Sequence, residues 1–240
     1  MIDTKLDELV QRLKAAAADN LKAVILYGSA ATEEFHAKHS DLNILCLVGQ
    51  ADAAHLEALH GPVDWWIRRG QRPPLVFTLE ELRRSADIFT IELLDMKSRH
   101  RVLYGENLLA DISVPLHFHS LQVERELRTD WLRLRQAILA APKKSKAYLE
   151  LMVSSFSAFA ALFRHALIAL GEAPAETKRE AIDRIAQFAG ADPAGFLAIL
   201  GVREGKVKGR DIDVEKTLNQ YFLFVEAVTE KFDRQLDAKK

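Results

Sequence analysis

Between residues 23 and 48 the chain carries two short apolar runs, Ala23-Val24-Ile25-Leu26-Tyr27 and Ile44-Leu45-Cys46-Leu47-Val48, separated by a polar stretch from Thr32 to Ser40. Each run is too short for a core helix and carries β-branched residues, so each reads as a buried strand. The first closes on Gly28-Ser29, and the second opens at Asp41. This strand–turn–strand unit commits the N-terminal part to a sheet, and the pattern around it supplies the covering helices. Leu6, Leu9, Val10 and Leu13 fall at helical spacing within residues 3–18, and Asp19-Asn20 ends that helix. A further helix is expected over Asp52–Leu59, stopping at His60-Gly61-Pro62. Pro73-Pro74 lead into a third strand at Leu75–Phe77, and Thr78 stands three residues before Glu81, the spacing of a capping box. A last strand and turn are expected over Arg101–Gly105.

The character changes after about Pro115. Long helical segments are predicted near 117–140, 145–170, 176–189 and 213–236, with one short helix besides, and breaks at Pro142, Gly171–Pro174, Gly190–Pro193 and Gly201–Gly209. Four long helices are enough for a bundle. The expected organisation is therefore α/β (α+β): a mixed sheet with flanking helices over residues 1–114, then an all-α helical bundle over 115–240. Gly205–Asp211 is the expected mobile loop.

Composition narrows the function classes. With 49% hydrophobic and 28% charged residues the chain has globular composition, and a net charge of -1 argues against nucleic acid as a partner. Lys143, Lys144 and Lys146 form the densest basic cluster. Cys46, the single cysteine, lies inside an apolar run and is expected to be packing rather than chemistry. Met1–Leu13 carries Asp3, Lys5, Asp7, Glu8 and Arg12, which is not a signal peptide, and no uncharged run reaches the ~20 residues of a membrane span. The expectation is a cytoplasmic protein without membrane association.

The chemistry concentrates at Ile25-Leu26-Tyr27-Gly28-Ser29 and, after eleven intervening residues, Asp41-Leu42-Asn43-Ile44. Glycine lets the backbone approach a phosphate closely, and the Ser29 hydroxyl adds a donor. A strand opening Asp-x-acid would point both acids to one face, because side chains alternate with period two. Paired carboxylates hold a divalent metal that clamps a triphosphate and activates the attacking hydroxyl.

This spacing resembles the nucleotidyltransferases related to DNA polymerase beta, in particular their minimal and aminoglycoside-modifying branches. The family pattern is an apolar residue, Gly, Ser, roughly ten residues, then Asp-x-Asp or Asp-x-Glu in a strand; Tyr27, Gly28, Ser29 and Asp41 match it. The stretch Phe89–Gly105 and the helical C-terminal half are similar to bacterial proteins described as nucleotidyltransferase-domain proteins. The resemblance implies a nucleotidyltransferase-like N-terminal domain. It also implies a nucleoside triphosphate bound at Gly28, Ser29 and Asn43, and Mg²⁺ or Mn²⁺ held by Asp41 with Asn43. Asp41 would be the catalytic carboxylate.

The chain departs from the pattern at Asn43, where the family has an acid. An amide oxygen brings no charge to a site whose affinity depends on carboxylate count. The family's third carboxylate lies on a later strand, and Leu75-Val76-Phe77 contains none; Asp64, Glu92 and Asp95 are the alternatives. In-line transfer leans on two metals, so weak or absent catalysis follows. Three functions stay open: a nucleotide-binding protein with weak or lost transfer; an active metal-dependent transferase acting on a protein or small-molecule acceptor; and a non-catalytic scaffold whose helical half forms an oligomer or partner surface.

Other residues have blander readings beside the sharper ones. His36 and His39 flank the turn and are usual solvated loop histidines. His117 and His119 cannot share a helix face at this spacing, which argues against zinc. Trp65-Trp66 with Arg68-Arg69 could stack a base, but a core tryptophan beside a basic turn is the simpler reading. Phe156, Phe159 and Phe163 form a core stripe. Arg164-His165 lacks the spacing of the ribonuclease helical domains that accompany minimal nucleotidyltransferases. Glu124 is an acceptor-binding acid by analogy alone.

Overall fold

Both apolar runs lie at the centre of a four-stranded sheet of order β3-β2-β1-β4. The computed structural model describes residues 2–32 and 42–238, so Asp41, His36 and His39 lie outside the described residues. Two units, Met1–Leu116 and His117–Lys240, each carry their own core.

The first unit runs α1 (Ile2–Ala17), β1 (Leu21–Tyr27), β2 (Asn43–Val48), α2 (Ala53–Ala58), α3 (His60–Ile67), β3 (Leu75–Thr78), α4 (Leu79–Arg84), α5 (Thr90–Ser98) and β4 (His100–Gly105). β1 is antiparallel to β2 and to β4, whereas β2 and β3 run parallel. Alternation along the strands splits the core in two. Val24 and Leu26 of β1, with Ile44, Cys46 and Val48 of β2, face the α1 leucines and Trp66. Ala23 and Ile25, with Leu45 and Leu47, face Leu82, Leu93, Met96 and the Leu109–Ile112 segment. Burial on both faces is why these strands read as unbroken apolar runs rather than as alternating ones. Burial also pushes the Cys46 thiol up to about 12, leaving it an inert packing group.

Helix termini follow local chemistry. Thr78 accepts from the Glu81 N–H while the Glu81 carboxylate accepts from the Thr78 N–H, so the capping box is complete. The Lys97 ammonium donates to the carbonyls of Ala110 and Ile112, tying α5 to the segment that leaves the sheet. The expected stop at His60-Gly61-Pro62 is corrected: α2 ends at Ala58 and the chain restarts at once as α3. Pro62 is the third residue of α3, in the first turn, where a missing N–H breaks no intrahelical bond.

The second unit is all helical: α6 (His119–Ala140), α7 (Ser145–Ala169), α8 (Lys178–Ala189), α9 (Ala194–Arg203) and α10 (Val214–Asp237). α7 is its axis. Phe156, Phe159 and Phe163 are fully buried and meet Phe196 of α9 and Phe224 and Tyr221 of α10 in one aromatic cluster. Among the described residues α7 is the one helix long and apolar enough to cross a membrane, and 56% of its most apolar stretch is buried within the protein. On α6 the buried residues are His119, Val123, Leu127 and Leu134, while Leu121 and Leu132 are exposed. Glu124 is ion-paired to Arg128, which also reaches Asp233 of α10.

A buried histidine pair joins α6 to α7, with His119 Nε2 and His165 Nδ1 at 3.0 Å. One nitrogen donates and the other accepts, so the bond is complete with both rings neutral. Burial first, and His165 second, hold His119 down to about 4 from an ordinary 6.5. Between those values the unfolded chain binds the proton and the folded chain does not. The stabilisation is therefore full above about pH 6.5 and lost as pH falls toward about 4, roughly 3 kcal/mol in all. Denaturant titrations from about pH 7 to about pH 4 should show the native chain losing stability more steeply than His119→Gln, whose amide does not titrate there. Parallel pH profiles would remove this assignment.

Candidate functional site

β1 delivers Tyr27 to the end of the sheet and then turns sharply. Gly28 has φ +79°, a left-handed conformation that side chains disfavour, and it opens a 3-10 turn over Gly28–Ala31. Its N–H donates to the Arg99 carbonyl at 2.9 Å, fastening the turn to the residue that precedes β4. Thr32 closes the turn, its N–H and hydroxyl both donating to the Ser29 carbonyl, at 3.3 and 3.1 Å. The serine hydroxyl thus sits on a turn whose geometry is fixed on both sides.

Antiparallel pairing sets Asn43, the first residue of β2, directly opposite Tyr27. The Asn43 amide lies across the turn: a Cβ added at Gly28 would meet Asn43 Nδ2 at 3.3 Å. The structure therefore brings Gly28, Ser29 and Asn43 together at one end of the sheet. Asp41, two residues before Asn43 in sequence, lies outside the described residues.

Three further groups bear on this end of the sheet, and of these the sequence pattern singled out Glu92 alone. His100 of β4 pairs with Tyr27 from the other side, its ring within hydrogen-bonding distance of the Lys97 carbonyl and of Asn107 Oδ1. Arg72 and Glu92 act electrostatically on Tyr27. Burial raises the phenol's pKa, Arg72 opposes that rise, and Glu92 adds to it. Arg72 comes from a loop with no periodicity, so only the assembled sheet reveals it.

The carboxylate alternatives separate clearly. Asp64 is not on a strand but on α3, where Arg68 one turn later pairs with it at 2.8 Å. Glu92 and Asp95 belong to α5, and of the three alternatives Glu92 is the one that acts on Tyr27. None of the four strands contains Asp or Glu. Among the described residues no group of three or more His, Cys, Asp or Glu side chains could hold a metal ion. Ser29 and Asn43 offer neutral oxygens, a poor match for a hard divalent cation that prefers carboxylates. These described donors do not fit a magnesium centre.

The tryptophans are explained without a ligand. Trp66 is core, and Trp65 already carries the guanidinium groups of Arg12 and Arg69 on its ring, at 4.5 and 3.9 Å. A cavity of about 740 Å³ lined by Lys22, Gly49, Thr78, Glu80, Gly105 and Glu106 opens at the opposite end of the sheet, where β1 begins and β4 ends.

No family model matches the chain, and no curated protein does. A solved structure does: spectinomycin adenyltransferase AAD(9) from Enterococcus faecialis, crystallised with ATP and spectinomycin. It is similar over 91% of this chain and 98% of its own, with a TM-score of 0.52 and 14% sequence identity. The likeness shows the fold: a nucleotidyltransferase-like mixed sheet with flanking helices, followed by a helical region.

Proposed function

We propose that this chain binds a nucleoside triphosphate at the Gly28-Ser29 turn and transfers nucleotides weakly or not at all. The observation that carries the reading is the turn itself. Gly28 is left-handed and tied to Arg99, and the Asn43 amide closes over it from the next strand. Backbone and hydroxyl donors at such a turn suit phosphate oxygens. The similar fold in a protein crystallised with ATP supports the choice of a nucleotide over other anions. Weak transfer follows from the residue types: the strand position where the family carries an acid holds Asn43, and none of the four strands supplies a replacement.

Calorimetric titration with the four ribonucleoside triphosphates tests the reading. Binding of at least one is expected, and Ser29→Ala should weaken it about tenfold, the loss of one hydrogen bond to a charged oxygen. Silence toward all four, with and without metal, would favour a scaffold. Incubation with labelled nucleotide and Mg²⁺ or Mn²⁺ tests the second half. Robust transfer that Asp41→Ala abolishes would instead make the chain an active transferase, with Glu92 the first acid to examine beside Asp41.

A further inference from the structure

We infer that one end of the helical unit docks on an anionic phospholipid surface, through the α6–α7 turn and the loop between α9 and α10. The nucleotide reading uses neither segment. Between Asp130 and Glu150 the chain carries Arg133, Arg135, Lys143, Lys144 and Lys146 and no acid. A second basic run, Lys206, Lys208 and Arg210, comes much later in the sequence. The fold brings the two runs together. Arg203, which ends α9, donates to the Val153 carbonyl of α7 at 2.6 Å. From there the loop runs back toward the start of α7. Gly209 lies so close against Leu149 that an added Cβ would overlap its side chain. Leu149 stands one turn beyond Lys146, so Lys208 and Arg210 flank the helix start that bears the lysines.

These basic residues are all exposed. Few acids answer them: Glu150 is 3.9 Å from Lys146, Glu204 is 2.7 Å from Lys206, and Asp211 is 3.7 Å from Arg210. Lys143, Lys144 and Lys208 have no acidic partner among the described residues. A chain of net charge -1 thus concentrates uncompensated positive charge at one end of this unit. A negatively charged leaflet complements such a patch, at about fivefold in affinity for each lysine brought near it. Leu139 favours lipid over nucleic acid. It stands in the last turn of α6, beside the lysine-bearing turn, and is 86% exposed, more than any other large apolar residue described. A phosphate backbone gives such a side chain no shelter from water, whereas the acyl boundary of a bilayer does. The expected absence of membrane association rested on the want of a spanning segment, and a surface contact needs none.

The test is co-sedimentation of the full chain with two kinds of vesicle, phosphatidylcholine alone and phosphatidylcholine with about 30% phosphatidylserine. Binding to the serine-containing vesicles alone is expected, and it should weaken as salt is raised. Replacing Lys143 and Lys144 together by alanine should weaken it by about 25-fold, and Leu139→Ser by about tenfold. All three positions are exposed, so these variants should keep the wild-type circular dichroism and melting temperature. No sedimentation with either vesicle overturns the inference, as does equal binding to both. Binding that the lysine or the leucine variant leaves unchanged also overturns it. Retention of single-stranded RNA at the same salt, without sedimentation on vesicles, would make the patch a nucleic-acid surface and overturn it likewise.

Discussion

Replacing Phe196 by alanine should destabilise the helical unit by about 3–5 kcal/mol, the range for emptying a fully buried aromatic position. The side chain is completely buried. Its ring stacks on Tyr221 with centroids 4.0 Å apart and planes 7° from parallel. It also meets Phe163 at 5.1 Å, Phe224 at 5.2 Å and Phe156 at 5.6 Å. One residue of the short helix α9 thus joins α7 to α10. Truncation leaves a cavity walled by rigid rings, which collapse poorly, and places the loss at the upper end of the range. Tyr221 makes the effect specific. Its hydroxyl sits 3.0 Å from Ser155 Oγ, and burial drives its ionisation upward. With Phe196 gone that ring loses its stacking partner and its phenol gains a route to water. Denaturant unfolding followed by near-ultraviolet dichroism should report both the lower midpoint and a changed tyrosine signal. A loss below about 1 kcal/mol would mean that the aromatic cluster repacks freely, against the expectation for a close-packed interior.

Gly105→Ala should be comparably damaging, on the order of 4 kcal/mol. About 1–2 arise from placing a Cβ at left-handed φ and about 1–3 from overpacking. Gly105 ends β4 at φ +79° and pairs with Ala23. A Cβ there would overlap the Lys22 carbonyl oxygen and come within 3.0 Å of the Ala23 α-carbon. Both obstacles are backbone, so no rotamer change relieves them. The expected observation is a lower melting temperature together with faster hydrogen exchange at the β1–β4 ladder. Because Gly105 closes the far end of β4, nucleotide affinity at the Gly28 turn should fall only as far as the folded fraction falls. Binding lost in fully folded protein would contradict that separation.

How much of this was legible beforehand depended on whether the signal was local. The strands at 21–27 and 43–48 were readable because covering both faces leaves an uninterrupted apolar run. The Thr78–Glu81 capping box was readable because its two bonds span three residues. The aromatic stripe of α7 followed from helical spacing. The restart at His60 was not readable, since Gly61 and Pro62 signal a break and only the first-turn position makes the proline harmless. Nor was the inward face of α6, where His119 is buried and Leu121 is not, because His165 lies 46 residues away. At the candidate site the turn and Asn43 came from spacing. Arg72 and His100 did not, because a loop arginine and an edge-strand histidine acquire meaning only once β4 and β3 flank the central pair.

The prolines that lead into β3 have a consequence for how copies of this chain behave in a crowded solution. β3 is four residues long and forms one margin of the sheet, with Leu75 exposed. An open margin is a template on which an extended segment from another molecule can add, the first step toward aggregation. Pro73 and Pro74 have no N–H to offer such a segment, and they stand where it would need to gain its first bonds. Pro73 and Pro74 thus guard the β3 margin against growing outward.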